Sequence, residues 1–150
     1  METNKIYIKE LDEKIIRFIK EHHIFTLATS NNNKPYCCTC FYYYNEKENN
    51  FLFTSDLETR HIEEAVLQPI VAGAIALETT MIGKIRGIQF TGKITKVSEE
   101  YFKIAKSLYV KRFPIASLSK LLLWKLEPDF IKFTDNRLGF GKKMIWQKEE

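Results

Sequence analysis

Residues 24–54 read IFTLATSNNNKPYCCTCFYYYNEKENNFLFT. Three runs rich in β-branched and aromatic residues, at 24–30, 36–44 and 51–54, are separated by the polar segments NNNKP and NEKENN. Apolar runs between polar turn segments predict three strands joined by short connections. Strands that follow one another this closely argue against a doubly wound parallel sheet and favour an antiparallel arrangement.

The rest of the chain predicts more strands, with helices between them. Helices are predicted at 12–22, 59–67, 98–113 and 116–122, and further strands at 70–77, 84–97 and 124–134. The segment 84–97 is either one long strand or a hairpin with a kink at Gly92, and the last strand has a break at Pro128. The expected fold is mainly β with peripheral helices, a small antiparallel barrel forming a single domain over residues 1–150.

Composition and charge restrict the class of protein. The 150 residues are 45% hydrophobic and 13% aromatic, which is typical of a globular protein. The net charge of +4 is small and dispersed, so it predicts no nucleic-acid partner. The N-terminal residues lack the apolar core of a signal peptide, and the run at 70–77 is too short to cross a bilayer. These features predict a cytoplasmic protein without a membrane partner.

The three cysteines lie together in Cys37-Cys38-Thr39-Cys40, within one predicted strand. This spacing does not form a disulfide framework, and it offers neither a fourth sulfur nor a nearby histidine for zinc, so no metal site is predicted. Cys38 and Cys40 share one face of the strand and Cys37 lies on the other. A nucleophilic role would need a base beside one of them, and the simpler interpretation is small, half-buried strand residues.

Residues 51–61, FLFTSDLETRH, lead from a strand through two hydroxyls to the start of a predicted helix. One interpretation is ordinary capping, with Thr59 as the N-cap and Arg60 in solvent. The other is a phosphate site, because a helix N-terminus carries free N–H groups and partial positive charge. Thr54, Ser55 and Thr59 would then add hydroxyl donors, and Arg60 a forked cation.

No complete catalytic signature is present. The sequence contains no GxSxG, HExxH or P-loop motif, and no GxGxxG that opens a helix. The Gly139-Phe140-Gly141 triplet follows no strand–helix unit and predicts a turn. No catalytic residue is therefore predicted.

Three segments in order carry a resemblance. Residues 27–69, from LATSNNNKP to HIEEAVLQP, together with IRGIQFTGKITKVSEEYF (85–102) and KLEPDFIKFTDNRLGFGKK (125–143), resemble the pyridoxamine 5'-phosphate oxidase-like, FMN-binding split-barrel superfamily. The closing segment and the TRH at 59–61 look most like its uncharacterised bacterial YhbP-like branch. The resemblance implies an antiparallel split β-barrel, usually a homodimer with FMN at the subunit interface.

The resemblance also implies a set of cofactor-binding residues. Thr59, Arg60 and His61 match the family's Ser-Arg-Lys, which binds the FMN phosphate, and Thr54 and Ser55 match the strand end that faces phosphate and ribityl. The strand holding Cys38, Thr39 and Cys40 matches the one that lies along the flavin ring. Arg86 matches the arginine of an Arg-Gln pair. Gly87 replaces the glutamine, and Gln89 on the same strand face is the expected substitute.

These matches predict a protein that binds FMN, with flavin-dependent oxidoreductase activity on an unknown substrate as one interpretation. Pyridoxamine phosphate oxidation is not expected, because the arginines that bind the substrate phosphate have no counterpart in RLGFGKK. One alternative is a non-catalytic binding module for flavin, haem or another planar anionic ligand. Another is a dimeric scaffold whose cofactor site has decayed. His61, where the family has lysine, and Gly87 motivate that second alternative.

Overall fold

The strands predicted from residues 24–54 form the first half of a closed sheet. A computed structural model describes residues 4–150. The strands are β1 (Lys5–Ile8), β2 (Ile24–Asn31), β3 (Lys34–Asn45), β4 (Asn50–Thr54), β5 (Ile70–Ala76), β6 (Arg86–Lys96), β7 (Leu123–Asp135) and β8 (Lys143–Gln147). The α-helices are α1 (Glu13–Glu21), α2 (Arg60–Leu67) and α3 (Glu99–Arg112), and 3-10 turns cover Ile82–Lys84, Pro114–Leu118 and Asn136–Leu138.

Six strands close into a ring in the order β2-β3-β4-β7-β6-β5, with every neighbouring pair antiparallel. β8 adds to β7 outside the ring, and β1 then pairs with β8 in parallel. The predicted fold class, a mainly β antiparallel split barrel with peripheral helices, is confirmed.

β7 is long enough to serve two neighbours along one edge. Residues 123–126 pair with β4 and residues 130–134 pair with β8, while the opposite edge pairs with β6 along most of its length. The register with β6 shifts between Thr91 and Gly92, opposite Pro128. A Cβ on Gly92 would lie 2.4 Å from the carbonyl oxygen of Glu127, so only glycine fits this close approach. β6 is therefore one continuous strand and not a hairpin, and the extra residue of the bulge, Asp129, lies in β7.

Aromatic side chains fill the barrel. The Phe25 ring lies edge-on to Phe51, Phe53 and Phe90 at centroid distances of 5.5–6.0 Å, and Phe51 stacks on Phe90 at 5.1 Å. All four are buried. Edge-on and offset aromatic pairs are favourable beyond the area that they bury, so these contacts stabilise the closed ring.

The helices lie outside the ring and bury one face each. Ile15, Phe18 and Ile19 of α1 follow the predicted helical spacing and are buried. α2 contacts β2, β3 and β6, while α3 contacts β3, β4 and β7. No helix within residues 4–150 is long and apolar enough to span a membrane.

Three elements differ from the sequence-based expectation. The strands β1 and β8 were not predicted, because each is short and becomes a strand by pairing with the other and with β7. The helix expected at 116–122 is a 3-10 turn over Pro114–Leu118. It begins earlier because Pro114 suits the first position of a helical turn.

Candidate functional site

The junction between β4 and α2 is fixed by the start of β7. The Thr54 hydroxyl donates to the Leu122 carbonyl at 3.0 Å, and the Ser55 N–H donates to the same oxygen at 3.3 Å. The Trp124 indole N–H donates to the Ser55 carbonyl at 2.9 Å. The Thr54 hydroxyl is thus used for structure, and it holds Ser55 in place at the strand end.

Ser55, Thr59 and His61 form a hydroxyl–imidazole cluster at the beginning of α2. The Ser55 Oγ lies 2.6 Å from His61 Nε2 and 3.2 Å from Thr59 Oγ1. The Thr59 hydroxyl donates to the Asp56 carbonyl at 2.8 Å. All three residues are partly exposed.

The first turn of α2 has unused N–H donors. Thr59 occupies the N-cap, as one interpretation of the sequence predicted, but its side chain makes no capping hydrogen bond. The Thr59 carbonyl accepts from the N–H groups of Ile62 and Glu63. Among residues 4–150, no group accepts from the N–H of Arg60 or His61. Free donors at a helix N-terminus suit an anion, although the exposed Glu63 carboxylate in the same turn opposes one.

Arg60 is oriented by two side chains. Its Nε donates to the Glu64 Oε1 at 2.9 Å, one helical turn further on, and its guanidinium carbon lies 4.2 Å from the centroid of the Tyr36 ring. Glu64 is buried and also accepts from the Thr29 hydroxyl at 2.7 Å. The Arg60 side chain remains 54% exposed, and neither Nη group has a hydrogen-bond partner within residues 4–150.

Hydrogen bonding from Thr29, and then from Arg60, holds the pKa of the Glu64 carboxyl below its usual range. Sequence reasoning missed Glu64, Thr29 and Tyr36. Only the Arg60–Glu64 spacing of four residues on one helix signalled a pair. The other two side chains come from the β2–β3 hairpin and could not be assigned to α2 without the fold.

Cys38 and Cys40 lie beside His61. Their Sγ atoms are 3.9 Å apart, and both sulfurs and one ring nitrogen of His61 lie within 4.8 Å of one another. The expectation that no histidine accompanies the cysteines is wrong, because α2 packs its first turn against β3. His61 follows Cys40 by 21 positions, so local spacing gave no sign of this contact.

The two thiols have opposite pKa shifts. The hydrogen bond with Cys40, together with His61, lowers the pKa of Cys38 to about 5 in spite of partial burial. The hydrogen bond with Cys38 and burial raise the pKa of Cys40 above its ordinary value. The two shifts favour the thiolate form at Cys38 and the thiol form at Cys40.

The predicted site residues lie on two faces of the sheet. Cys38 is in register with Leu27 and Gly73 on the inward face, whereas Thr39 is in register with Thr26 and, across β5, with Gln89 on the outward face. Thr39 and Gln89 are exposed, and neither shares the inward face of the cluster. Gln89 lines an open, mostly apolar depression of about 390 Å³ together with Thr26, Ala28, Cys37, Ala72 and Phe130.

Arg86 lies on the inward side of β6 under α1. Its guanidinium carbon is 5.5 Å from the centroid of the Phe18 ring, and Nη1 is 3.5 Å from Glu21 Oε2. Its Nε is buried and has no hydrogen-bond partner among the described residues. The contacts of Arg86 thus come from α1 and not from the start of α2. The structure brings together Ser55, Thr59, Arg60, His61, Cys38 and Cys40.

Known proteins resemble this chain in structure and in sequence. No protein-family model matches the chain. A putative pyridoxamine 5'-phosphate oxidase from Listeria innocua has the same fold, with a TM-score of 0.68 at 16% identity over 83% of this chain and 98% of that one. An FAD-binding protein from Mesorhizobium loti gives 0.66 at 10% identity, covering 81% and 90%. A haem-binding protein from Mycobacterium smegmatis gives 0.76 at 13% identity, covering 93% and 60%.

At these identities the structural neighbours establish the fold alone. Some relatives are more similar to this chain in amino-acid sequence. A UPF0306 protein from Photorhabdus laumondii is 41% identical over 134 residues, which are 89% of this chain and 94% of the relative. A UPF0306 protein from Yersinia pseudotuberculosis is 38% identical over 136 residues, 91% of this chain and 92% of the relative. The chain, a split barrel, therefore belongs to the UPF0306 family.

Proposed function

We propose that this split barrel binds FMN and that the beginning of α2 binds the phosphate of the cofactor. The observation that carries the proposal is the pair of N–H groups, of Arg60 and His61, that lack an acceptor among residues 4–150 at the N-terminus of α2. Ser55 and Thr59 place hydroxyls beside them. A phosphate oxygen satisfies donors of this kind with a charge-assisted bond.

Arg60 supplies the positive charge. Because Glu64 occupies only its Nε, the two Nη groups, without a partner within residues 4–150, can form the paired bonds that a guanidinium makes to phosphate. The Tyr36 ring and the Glu64 carboxylate hold the planar group in one orientation, which reduces the entropy lost on binding. His61, hydrogen-bonded to Ser55, completes the site in the first turn of the same helix.

The flavin ring needs a second surface. We propose that a second copy of the chain covers the outward depression lined by Gln89, so that FMN lies at the interface of a homodimer. Thr39 and Gln89 face this side of the sheet, and the depression is mostly apolar, as a surface that packs against a ring or a partner would be. Placement in the YhbP-like branch and a cytoplasmic location belong to the same proposal.

FMN would supply hydride or electron chemistry when bound, and the protein would supply phosphate binding, ring packing and exclusion of water. No acid or base is assigned to a reaction step. Oxidoreductase activity is therefore a second part of the proposal, separate from FMN binding. The alternative is a protein that carries the flavin without catalysing a reaction. Haem is the alternative ligand, motivated by the resemblance in fold to the mycobacterial haem-binding protein.

The absorption spectrum of the purified protein, before and after addition of FMN or haemin, separates these ligands. Flavin bands that remain with the protein through gel filtration support FMN, and a Soret band that appears only with haemin supports haem. Ligand at about 100 times its Kd should stabilise the fold by about 2.7 kcal/mol. If saturating FMN shifts neither the spectrum nor the melting temperature, the proposal fails. Bleaching of bound flavin by NADH or NADPH then separates an enzyme from a carrier.

A further inference from the structure

The thiol pair of Cys38 and Cys40 is not needed to bind a flavin phosphate, although His61 beside it also belongs to the proposed phosphate site. Cys38 and Cys40 project from the inward face of β3 because strand side chains two positions apart share a face. His61 reaches them from the first turn of α2. The two sulfurs are 3.9 Å apart, and the imidazole nitrogen is within 4.8 Å of both.

This spacing matches the ligand set of a tetrahedral metal ion. With Zn–S bonds of about 2.3 Å and a Zn–N bond of about 2.0 Å, tetrahedral geometry places the sulfurs roughly 3.8 Å apart and each sulfur roughly 3.5 Å from the nitrogen. The sulfurs already have this separation. The histidine nitrogen needs to approach the sulfurs by about 1.3 Å or less.

The donor types and the burial restrict the ion. Thiolate and imidazole ligands favour Zn²⁺ and Cu⁺ over Mg²⁺ or Ca²⁺. Cys40 is buried, while Cys38 and His61 are each partly exposed, so the cluster is closed on the barrel side and open toward solvent. Three protein ligands with one open side are typical of zinc sites that keep the fourth position for water or an exchangeable ligand.

We propose that Cys38, Cys40 and His61 form a Zn²⁺ site with three protein ligands and an open fourth position. Binding exchanges the remaining thiol protons for the ion and releases them to solvent, with no change of oxidation state. Ser55, hydrogen-bonded to His61, orients the ring. The metal site shares His61 and Ser55 with the proposed phosphate site but does not require Arg60, so Arg60→Ala tests phosphate binding without removing a metal ligand.

Cobalt titration of the metal-free, reduced full chain tests this site. We expect one Co²⁺ per chain, with thiolate-to-cobalt charge-transfer absorption in the near ultraviolet that stoichiometric Zn²⁺ abolishes. Cys37→Ser is the matched control, because Cys37 is exposed on the opposite face of the same strand. Cys37→Ser and Arg60→Ala should bind as the wild type does, whereas Cys38→Ser and His61→Ala should bind at least tenfold more weakly.

A thermal unfolding series keeps the test independent of folding defects. Zn²⁺ should raise the melting temperature of the wild type and of Cys37→Ser, and should leave that of Cys38→Ser and His61→Ala unchanged. The proposal is overturned if the wild type gives no charge-transfer band, if the band persists in Cys38→Ser and His61→Ala, or if it disappears with Cys37→Ser. Zinc binding without FMN binding would refute only the proposed flavin function, and the reverse would refute only the metal site.

Discussion

The beginning of α2 and the beginning of β6 each carry an arginine, and the two side chains have different surroundings. Arg60 is 54% exposed, is held at Nε by Glu64, and has both Nη groups free within the described chain. Arg86 is 19% exposed, covers the Phe18 ring, and has its Nε buried. Arg60 presents its Nη groups to solvent, whereas Arg86 is part of the packing beneath α1. Substitutions at the two ends should therefore have different effects on stability and on FMN binding.

The largest effect is expected at the Arg86 end. Phe18 is 1% exposed and its ring lies between Phe133, His22 and Arg86. Phe18→Ala should lower the free energy of unfolding by about 3–5 kcal/mol through the cavity it leaves. Urea denaturation measures this loss, and Phe140→Ala, at a 71% exposed phenylalanine, should change stability by less than about 0.5 kcal/mol. The affinity of the folded protein for FMN should not change. A large loss of FMN affinity would show that residues near Arg86 contribute to the cofactor site.

A smaller effect is expected from Glu64→Gln, which keeps the shape of the side chain and removes its charge. FMN affinity should fall by less than about fivefold, because Arg60 loses an orienting ion pair and keeps its own charge. Fluorescence titration with FMN measures this change. Glu63→Gln, at the exposed neighbouring glutamate, is the control and should not weaken binding.

The same substitution has a pH signature. Because the folded protein lowers the pKa of Glu64, the carboxylate stabilises the fold above the pKa of an unfolded glutamate, about 4.3, and this contribution disappears as the pH falls through the lower folded value. Urea denaturation between neutral pH and about pH 3 should show the wild type and Glu64→Gln converging in acid. A stability difference that is constant with pH would contradict the assigned role of Glu64.

The smallest effect is expected from Arg86→Met. Methionine retains a long apolar stem against Phe18 and removes the buried Nε, which has no partner among the residues that the structure describes. The lost pair with Glu21 is partly exposed and contributes little. Stability should change by less than about 0.5 kcal/mol, and FMN affinity should stay the same. A tenfold loss of FMN binding would show that Arg86 contacts the cofactor, as the family resemblance implied.

Local pattern predicted most of the fold and part of the candidate site. The hairpins at 24–54 and the buried helix face of Ile15, Phe18 and Ile19 could be predicted because the spacing of apolar residues along the chain is typical of strands and of a helix. β1 and β8 are strands only because they pair with each other and with β7, a contact between the two ends of the chain. The contact of His61 with Cys38 and Cys40 likewise depends on the tertiary fold, so the spacing of these residues in the sequence does not predict it.

The most direct test of phosphate binding at α2 compares FMN with riboflavin, which lacks the phosphate, in calorimetric titrations of the wild type, Arg60→Ala and Arg86→Met. A bond to a charged group contributes about 1.5–3 kcal/mol, so Arg60→Ala should weaken FMN binding by roughly 10- to 150-fold. The affinity for riboflavin should be nearly unchanged in Arg60→Ala, and Arg86→Met should keep the preference for FMN. Equal affinities of the wild type for FMN and riboflavin, or equal losses of both in Arg60→Ala, would contradict phosphate binding at this helix.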